Sequence, residues 1–537
     1  MKLFTMLAIA LVSAITANAQ LKEIEKSEIF EEPRNGFVKI IHDDAGDTYF
    51  VHVGNDGLML KKYDTNHKLV KSKKIKSKLG NLHLGKLLSI TCRDNAILVF
   101  TSELENRTPA LYRQVIDATS LDLREENQID SMPKIKIKVK FGKVSERELN
   151  RKFDFYVKTD AATGSYAVAA YYTDEETNKQ VRVTHYNNQH KVISSSGFFR
   201  PDSDYSYYDY RDLYVNGEQA LVAMAIGSKR KTGDLLIGVL PAGANAFEVK
   251  EVDFPQAKDV KSALITFNPT TNQYMAVSIS ENAGNTVSSR TIWNPQNNEA
   301  KTETITGAAL IKAGKAGKGS MLKPVVQQLL LQADGSYTLI FEDMKHDLSQ
   351  YSTFNSMSGG SFGSGGNTMM KTKTSNKFYL NNLAVVHYDA NGNLLNSDVL
   401  QKSFQVTYPI QLNYMNAIQE AGVTLTWGLQ FKTFYYVNGK TKKYIIFNDD
   451  EKNQERINSN KKPETIVGLE NCEAYMLALH KNEEPQRKPL FTEPTSKTNR
   501  QLVVAAASSY NPATNEVAIL KVNYKDKKAR IVWMQAE

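Results

Sequence analysis

The sequence predicts an all-β protein, a single β-propeller of about seven four-stranded blades, with two consecutive β-sandwiches as the alternative. Three observations lead there. Short runs of β-branched and aromatic residues follow the period of two expected of half-buried strands, as in Tyr49-Phe50-Val51-His52-Val53 and Ala96-Ile97-Leu98-Val99-Phe100. Hairpin turns separate such runs, at Asn55-Asp56-Gly57, Ala333-Asp334-Gly335, Asn391-Gly392 and Asn438-Gly439. One pattern also recurs along the chain, as it does in repeat architectures.

The repeat is clearest from Phe153 to Phe198: a strand, a turn, a strand opening on Tyr166, a polar loop, a strand ending in an aromatic, a short turn and a last strand. The same order returns at 36–75, 87–129, 209–254, 260–305 and 324–400, and more loosely at 429–492 and 500–535. A four-stranded sheet cannot cover both its faces alone, so neighbouring units must pack face to face. That number of sheets exceeds a sandwich and suits blades around an axis. Helical periodicity is confined to Ser145–Lys152, where Ser145 and Glu148 form a capping box.

The composition agrees with a large globular domain. Of 537 residues 41% are hydrophobic and 23% charged, with Gly and Pro too scarce for a fibrous or wholly disordered chain. Two cysteines exclude a disulfide scaffold and any multi-Cys zinc or iron–sulfur centre. The net charge of +9 favours anionic partners without naming one, and nothing in the pattern points to nucleic acid.

The N-terminus predicts export. Lys2 precedes an apolar stretch from Leu3 to Ile15, and Ala17-Asn18-Ala19 supplies the small residues of a cleavage site, so 1–19 reads as a signal peptide. No Cys follows it, which argues against a lipoprotein anchor, and no other segment is apolar for long enough to cross a bilayer. The expected location is periplasmic, secreted or associated with the cell envelope. Residues 20–537 then form the propeller, interrupted at about 349–377 by a Gly/Ser-rich stretch expected to be an exposed flexible loop. In an oxidising compartment Cys92 and Cys472 could bridge an early to a late part of the ring; otherwise they are two buried thiols.

Several of these features together resemble a known group. The leader ending in Ala17-Asn18-Ala19-Gln20, the Tyr63-Asp64 and Tyr388-Asp389 turns, the run Tyr444-Ile445-Ile446-Phe447-Asn448-Asp449-Asp450 and the later Arg487-Lys488-Pro489-Leu490-Phe491 are similar to secreted, propeller-like proteins of Bacteroidota to which no activity is assigned. The resemblance covers the leader and mainly the C-terminal third. It implies a fold and a location, and carries over no functional residue.

Candidate chemistry is sparse. Gly359-Gly360-Ser361-Phe362-Gly363 matches a nucleophile elbow, but it lies in a Gly/Ser-rich stretch with no helix after it. Gly314 to Ser320 lacks the ending of a phosphate loop. His185 and His190 flank a turn and read as two exposed imidazoles rather than a metal pair. Calcium is the one cofactor suggested, by the oxygen-rich turns Asp43-Asp44-Ala45-Gly46-Asp47 and Asn448-Asp449-Asp450-Glu451; neither has EF-hand spacing.

Two segments are candidate binding surfaces. In Pro133–Lys143, Lys134, Lys136, Lys138 and Lys140 alternate with apolar residues, giving either a ladder for an anionic polysaccharide or an edge strand protected from aggregation. Nine lysines between Lys61 and Lys86 add to the basic surface. In Phe198–Tyr214, Tyr205, Tyr207, Tyr208 and Tyr210 are interleaved with Asp209 and Asp212, a mixture of aromatic faces and carboxylates that suits sugar rings or a protein partner. Trp427 with Phe431, Phe434, Tyr435 and Tyr436 forms a second aromatic cluster, partly core. The expected function is binding of a protein or glycan through propeller loops, without catalysis. A carbohydrate-active enzyme with its pocket at the axis, or an envelope-structural protein, are the alternatives.

Overall fold

A computed structural model describes residues 21–54, 57–76, 86–134, 153–172, 180–198, 207–228, 231–252, 260–282, 285–297, 299–305, 324–354, 370–407, 412–425, 428–479, 486–491 and 500–537. Their strands form eight antiparallel sheets, so the propeller has eight blades where the sequence suggested about seven. The loose segment at 429–492 supplies one blade, and that at 500–535 supplies another together with strands from the N-terminal end of the chain.

Each blade opens with the strand nearest the axis, except that in blade 1 the short Val423–Thr424 pairs on the inner side of it. The opening strands are Phe37–His42 in blade 1, Lys86–Arg93 in blade 2, Phe153–Thr159 in blade 3, Tyr207–Val215 in blade 4, Val260–Asn268 in blade 5 and Pro324–Leu331 in blade 6. Consecutive ones touch, and the sequence runs outward from each to the blade edge. Blade 7 begins at Phe434–Asn438 and blade 8 at Gln501–Val503.

The two ends of the chain share blade 8. Lys22–Lys26 pairs antiparallel with Lys528–Gln535, Lys22 opposite Gln535 and Lys26 opposite Val532, and Phe30–Glu31 pairs with the same strand. Trp533 is fully buried, and its indole N–H donates to the Thr48 hydroxyl of blade 1 at 3.1 Å.

The tyrosine that opens a second strand recurs for a physical reason. Its ring is buried and stacks on the aromatic that ends the third strand: Tyr166 on Tyr186 at 4.7 Å, Tyr274 on Trp293 at 4.6 Å, Tyr337 on Tyr388 at 5.0 Å. Its hydroxyl then reaches the preceding blade. Arg113 of blade 2 donates to Tyr166 at 2.8 Å, Tyr274 donates to Gln219 of blade 4 at 2.6 Å, and Arg290 of blade 5 donates to Tyr337. One residue type thus packs its own blade and ties it to a neighbour.

Among the described residues two α-helices escape the periodicity. Helix α1 (Tyr414–Ala421) lies between blades 6 and 7 in the chain, and helix α2 (Glu451–Asn458) follows the second strand of blade 7. Among the described residues no helix is long and apolar enough to cross a membrane. The segment Ser145–Lys152 lies outside the described residues.

Other expectations need correction. Cys92 and Cys472 are both free, so the early-to-late bridge is not made. The insertion at 349–377 is not loop throughout: the ladder of Tyr337–Phe354 with Met370–Tyr388 continues from Ser349 opposite Ser375 to Phe354 opposite Met370. His185 is fully buried, where an exposed imidazole was expected, and burial holds it down to about 4. The oxygen-rich turns are occupied by the fold. Asp43 accepts from the Ala45 and Asp47 amides and from the Tyr49 hydroxyl. Asp449 pairs with Arg487, and Asp450 caps α2 by accepting from the Lys452 amide at 2.9 Å. Among the described residues no group of three His, Cys, Asp or Glu is placed to hold a metal ion.

Candidate ligand pocket at the propeller axis

Eight blades enclose a wider opening than fewer would, and α1 occupies it. The helix packs against the innermost strands of blades 2, 3 and 6, against Val423–Thr424 on the inner edge of blade 1, and against the turn Ala505–Ala507 of blade 8. Tyr414, Met415, Ile418 and Ala421 form its buried stripe. The chain leaves the helix at Gly422, whose φ of +84° suits glycine, and a Cβ there would sit 2.6 Å from the Val38 carbonyl.

Polar side chains hold the helix at both ends. At its start, Tyr414 donates to Glu342 at 2.8 Å, Lys402 pairs with the same buried carboxylate, and Gln327 donates to the Leu412 carbonyl at 2.7 Å. At its end, the Lys39 ammonium donates to the Gln419 and Glu420 carbonyls and to Ile90 of blade 2, at 2.6, 2.7 and 2.8 Å. A cation on the last carbonyls also complements the helix dipole. Burial brings Lys39 down to about 8.

The polar face of α1, carrying Asn413, Asn416 and Glu420, forms one wall of a cavity of about 550 Å³. The other walls are the innermost strands of four consecutive blades: Lys86 from blade 2, Asp154, Tyr156 and Lys158 from blade 3, Asp209 to Asp212 from blade 4, and Lys261 and Ser262 from blade 5. Four carboxylates and four cations therefore line it among the described residues. They are interleaved. Lys86 meets Asp154 at 3.0 Å, Lys158 meets Glu420 at 2.9 Å, and Arg211 meets Asp209 at 2.9 Å.

Asp212 is the most enclosed carboxylate there. One oxygen accepts from the Ile265 amide at 2.9 Å and the other from Asn416 at 3.0 Å. Burial pushes its carboxyl up to about 6, against the pull of Lys158. Burial works the other way on Lys158, but Glu420 and Asp212 outweigh it and hold the ammonium above its usual range. Tyr156 and Tyr210 stack with centroids 3.5 Å apart, and burial keeps both phenols protonated well past their usual range.

Of the residues singled out from sequence, Tyr210, Asp209 and Asp212 line this pocket. Tyr207 and Tyr208 lie on the innermost strand of blade 4 rather than in a connecting loop, and Tyr205 falls outside the described residues. Lys134 is exposed beyond the last strand of blade 2; Lys136, Lys138 and Lys140 lie outside the described residues, as do Trp427 and the segments 314–320 and 359–363. Phe431, Phe434 and Tyr436 are core. Several lysines of 61–86 have acidic partners: Lys61 with Glu28, Lys62 with Asp47, Lys68 with Glu25 and Lys73 with Asp122.

Sequence reasoning missed Asp154, Tyr156, Lys158, Arg211, Lys261, Asn416 and Glu420, and read Lys86 only as the end of a lysine-rich surface. The signal was present on the first strand of each unit, whose alternate polar positions must face the axis once the ring closes. Asp154-Phe155-Tyr156-Val157-Lys158 carries it openly.

No known protein family matches the chain, and no curated protein resembles it in sequence. Solved structures do share its outline. The chain is similar to the Dos1 propeller over 95% of both chains, at 9% identity and a TM-score of 0.43. It is similar to the polysaccharide lyase Uly1 over 96% of this chain and 100% of that one, at 8% identity and a TM-score of 0.36. It also resembles a hypothetical selenium-binding protein from Sulfolobus tokodaii over 66% and 76% of the two chains, at 11% identity and a TM-score of 0.35. Likenesses this distant carry neither ligand nor activity across to this chain.

Proposed function

We propose that the protein is an exported, non-catalytic binding protein that takes a glycan or similar polar ligand into the pocket at the propeller axis. The observation that carries this reading is the pocket itself: a cavity of about 550 Å³ into which four consecutive blades and α1 direct charged, amide and phenol groups. That volume is in the ordinary range for small-ligand sites, roughly 300–1,000 Å³. The lining offers donors and acceptors side by side, and the paired tyrosines add rigid aromatic surface.

A second reading, a carbohydrate-active enzyme, is favoured by one feature. Four carboxylates converge on the pocket, and Asp212 has the raised pKa a general acid needs. Its two oxygens are however engaged by Ile265 and Asn416, and Glu420, Asp154 and Asp209 are each paired with a cation. Those bonds favour binding over catalysis.

A glycan array followed by calorimetry separates the readings. Saturable binding without turnover is expected, lost about tenfold or more in Lys86→Ala/Asp154→Ala. Release of reducing ends by the wild type, abolished in Asp212→Asn, would transfer the protein to the enzyme class.

A further inference from the structure

The balance of charge around the axial pocket narrows its ligand. We infer that the pocket selects a neutral polyhydroxylated ligand, a sugar with free hydroxyls and no carboxylate, over an anionic sugar such as a uronic acid; this rests on the reading of the pocket as a ligand site. It departs from the preference for anionic partners that the net charge of +9 suggests.

Three ion pairs build much of the wall. Lys86 with Asp154, Lys158 with Glu420, and Arg211 with Asp209 each place a cation within 3.0 Å of a carboxylate oxygen. Lys261 and Asp212 complete the lining with one further charge of each sign, so the described wall carries no net formal charge. An anion entering this space finds as many carboxylates as cations. To gain a full ion pair it must displace a carboxylate already in place, and it pays its own desolvation first.

A sugar hydroxyl faces the opposite situation. It donates and accepts at once, and each wall pair offers both partners within one hydrogen-bond length of each other. In the Lys86–Asp154 pair the ammonium has three N–H donors and the carboxylate about four acceptor sites, so the pairing leaves capacity on both. Arg211, by contrast, also donates to the Val260 and Tyr210 carbonyls, and Glu420 also accepts from Ser89 and Thr159. The pairs are partly open: the Lys86 side chain is 36% exposed and that of Asp209 32%. Neighbouring hydroxyls of one ring can therefore bridge a cation and a carboxylate without breaking the pair. Hydrogen bonds of that kind are charge-assisted, roughly twice as strong as neutral ones.

The test is calorimetry of the full chain with methyl glycosides and disaccharides of glucose, galactose and mannose, set against glucuronate and galacturonate. Each titration is made at about 50 and about 500 mM NaCl, conditions that change charge screening about threefold. The expected result is binding of at least one neutral sugar with a Kd that moves less than about twofold with salt, and at least about tenfold weaker binding of the matching uronate. Asp154→Asn gives the wall a surplus positive charge and should close that gap about fivefold or more, with salt-sensitive uronate binding. Lys86→Gln, at the more exposed partner, should widen it.

A uronate that binds as tightly as its neutral counterpart and weakens with salt would overturn the selectivity while leaving the pocket reading in place. If none of the sugars binds, or if the wild type and Lys86→Ala/Asp154→Ala bind them alike, the pocket reading falls and the inference falls with it.

Discussion

A carboxylate removed from water keeps its proton to a higher pH, and Asp212 is such a carboxylate. Its amide and Asn416 partners stabilise the charge, yet burial dominates and the pKa rises to about 6. In the unfolded chain an aspartate titrates near 3.9. Between those values the folded protein binds the extra proton, so the contribution of Asp212 to stability is complete below about pH 4 and is lost as pH rises through about 6. The loss is on the order of 2–3 kcal/mol. Buried His185, held down to about 4, has the opposite slope, because its neutral form is the folded one and stability falls as pH drops below about 6.5. The two partly cancel in a raw profile. The difference between wild type and Asp212→Asn isolates one of them. Measured by urea unfolding from pH 4 to 7, the variant should gain on the wild type as pH rises to about 6 and level off above it; parallel profiles would remove the effect.

Helix α1 shows what an element can hide. It has eight residues, Asn413 makes no side-chain cap, and its first turn carries no acidic residue. A helix that short is marginal by itself and exists through tertiary contacts, which a reading of local periodicity cannot register. The tyrosine opening the second strand was legible for the converse reason. Tyr166, Tyr274 and Tyr337 perform one packing task in successive blades, so the same residue recurs at one place in each unit. The axial pocket was half legible. Tyr210, Asp209 and Asp212 stood out as a local cluster, whereas Lys86, Lys158 and Glu420 are distant in sequence and meet only when the ring closes. At this scale the test is Lys39, whose ammonium holds the last carbonyls of α1. Lys39→Met should cost about 1–3 kcal/mol, and amide exchange across 415–421 should speed up well beyond that of the blade strands. Unchanged exchange there would mean that the stripe of Tyr414, Met415 and Ile418 suffices to hold the helix.

At the scale of the whole molecule the blade count depended on its two least regular units. Blade 7 has α2 inserted between its second and third strands, and blade 8 takes its outer edge from the other end of the chain, which blurs both against the repeat. That shared blade is the ring's closure. Leu21 is buried, Phe30 packs on Phe50 of blade 1 at 5.1 Å, and Ser27 exchanges hydrogen bonds with Ile531 through its amide and its hydroxyl. Deleting residues 20–31 removes one buried and one half-buried apolar side chain, Leu21 and Phe30, about 2–4 kcal/mol by area. It also exposes the whole hydrogen-bonding edge of Lys528–Gln535, and a bare edge strand invites pairing with another chain. The truncated protein should melt earlier and self-associate, by differential scanning calorimetry and light scattering. A peptide spanning Leu21–Glu32 supplied in trans should pair with the vacated edge and restore much of the melting temperature. If the truncated chain melts as the full one does, the ring is held by its inter-blade contacts alone, and the N-terminal strands only cover an edge.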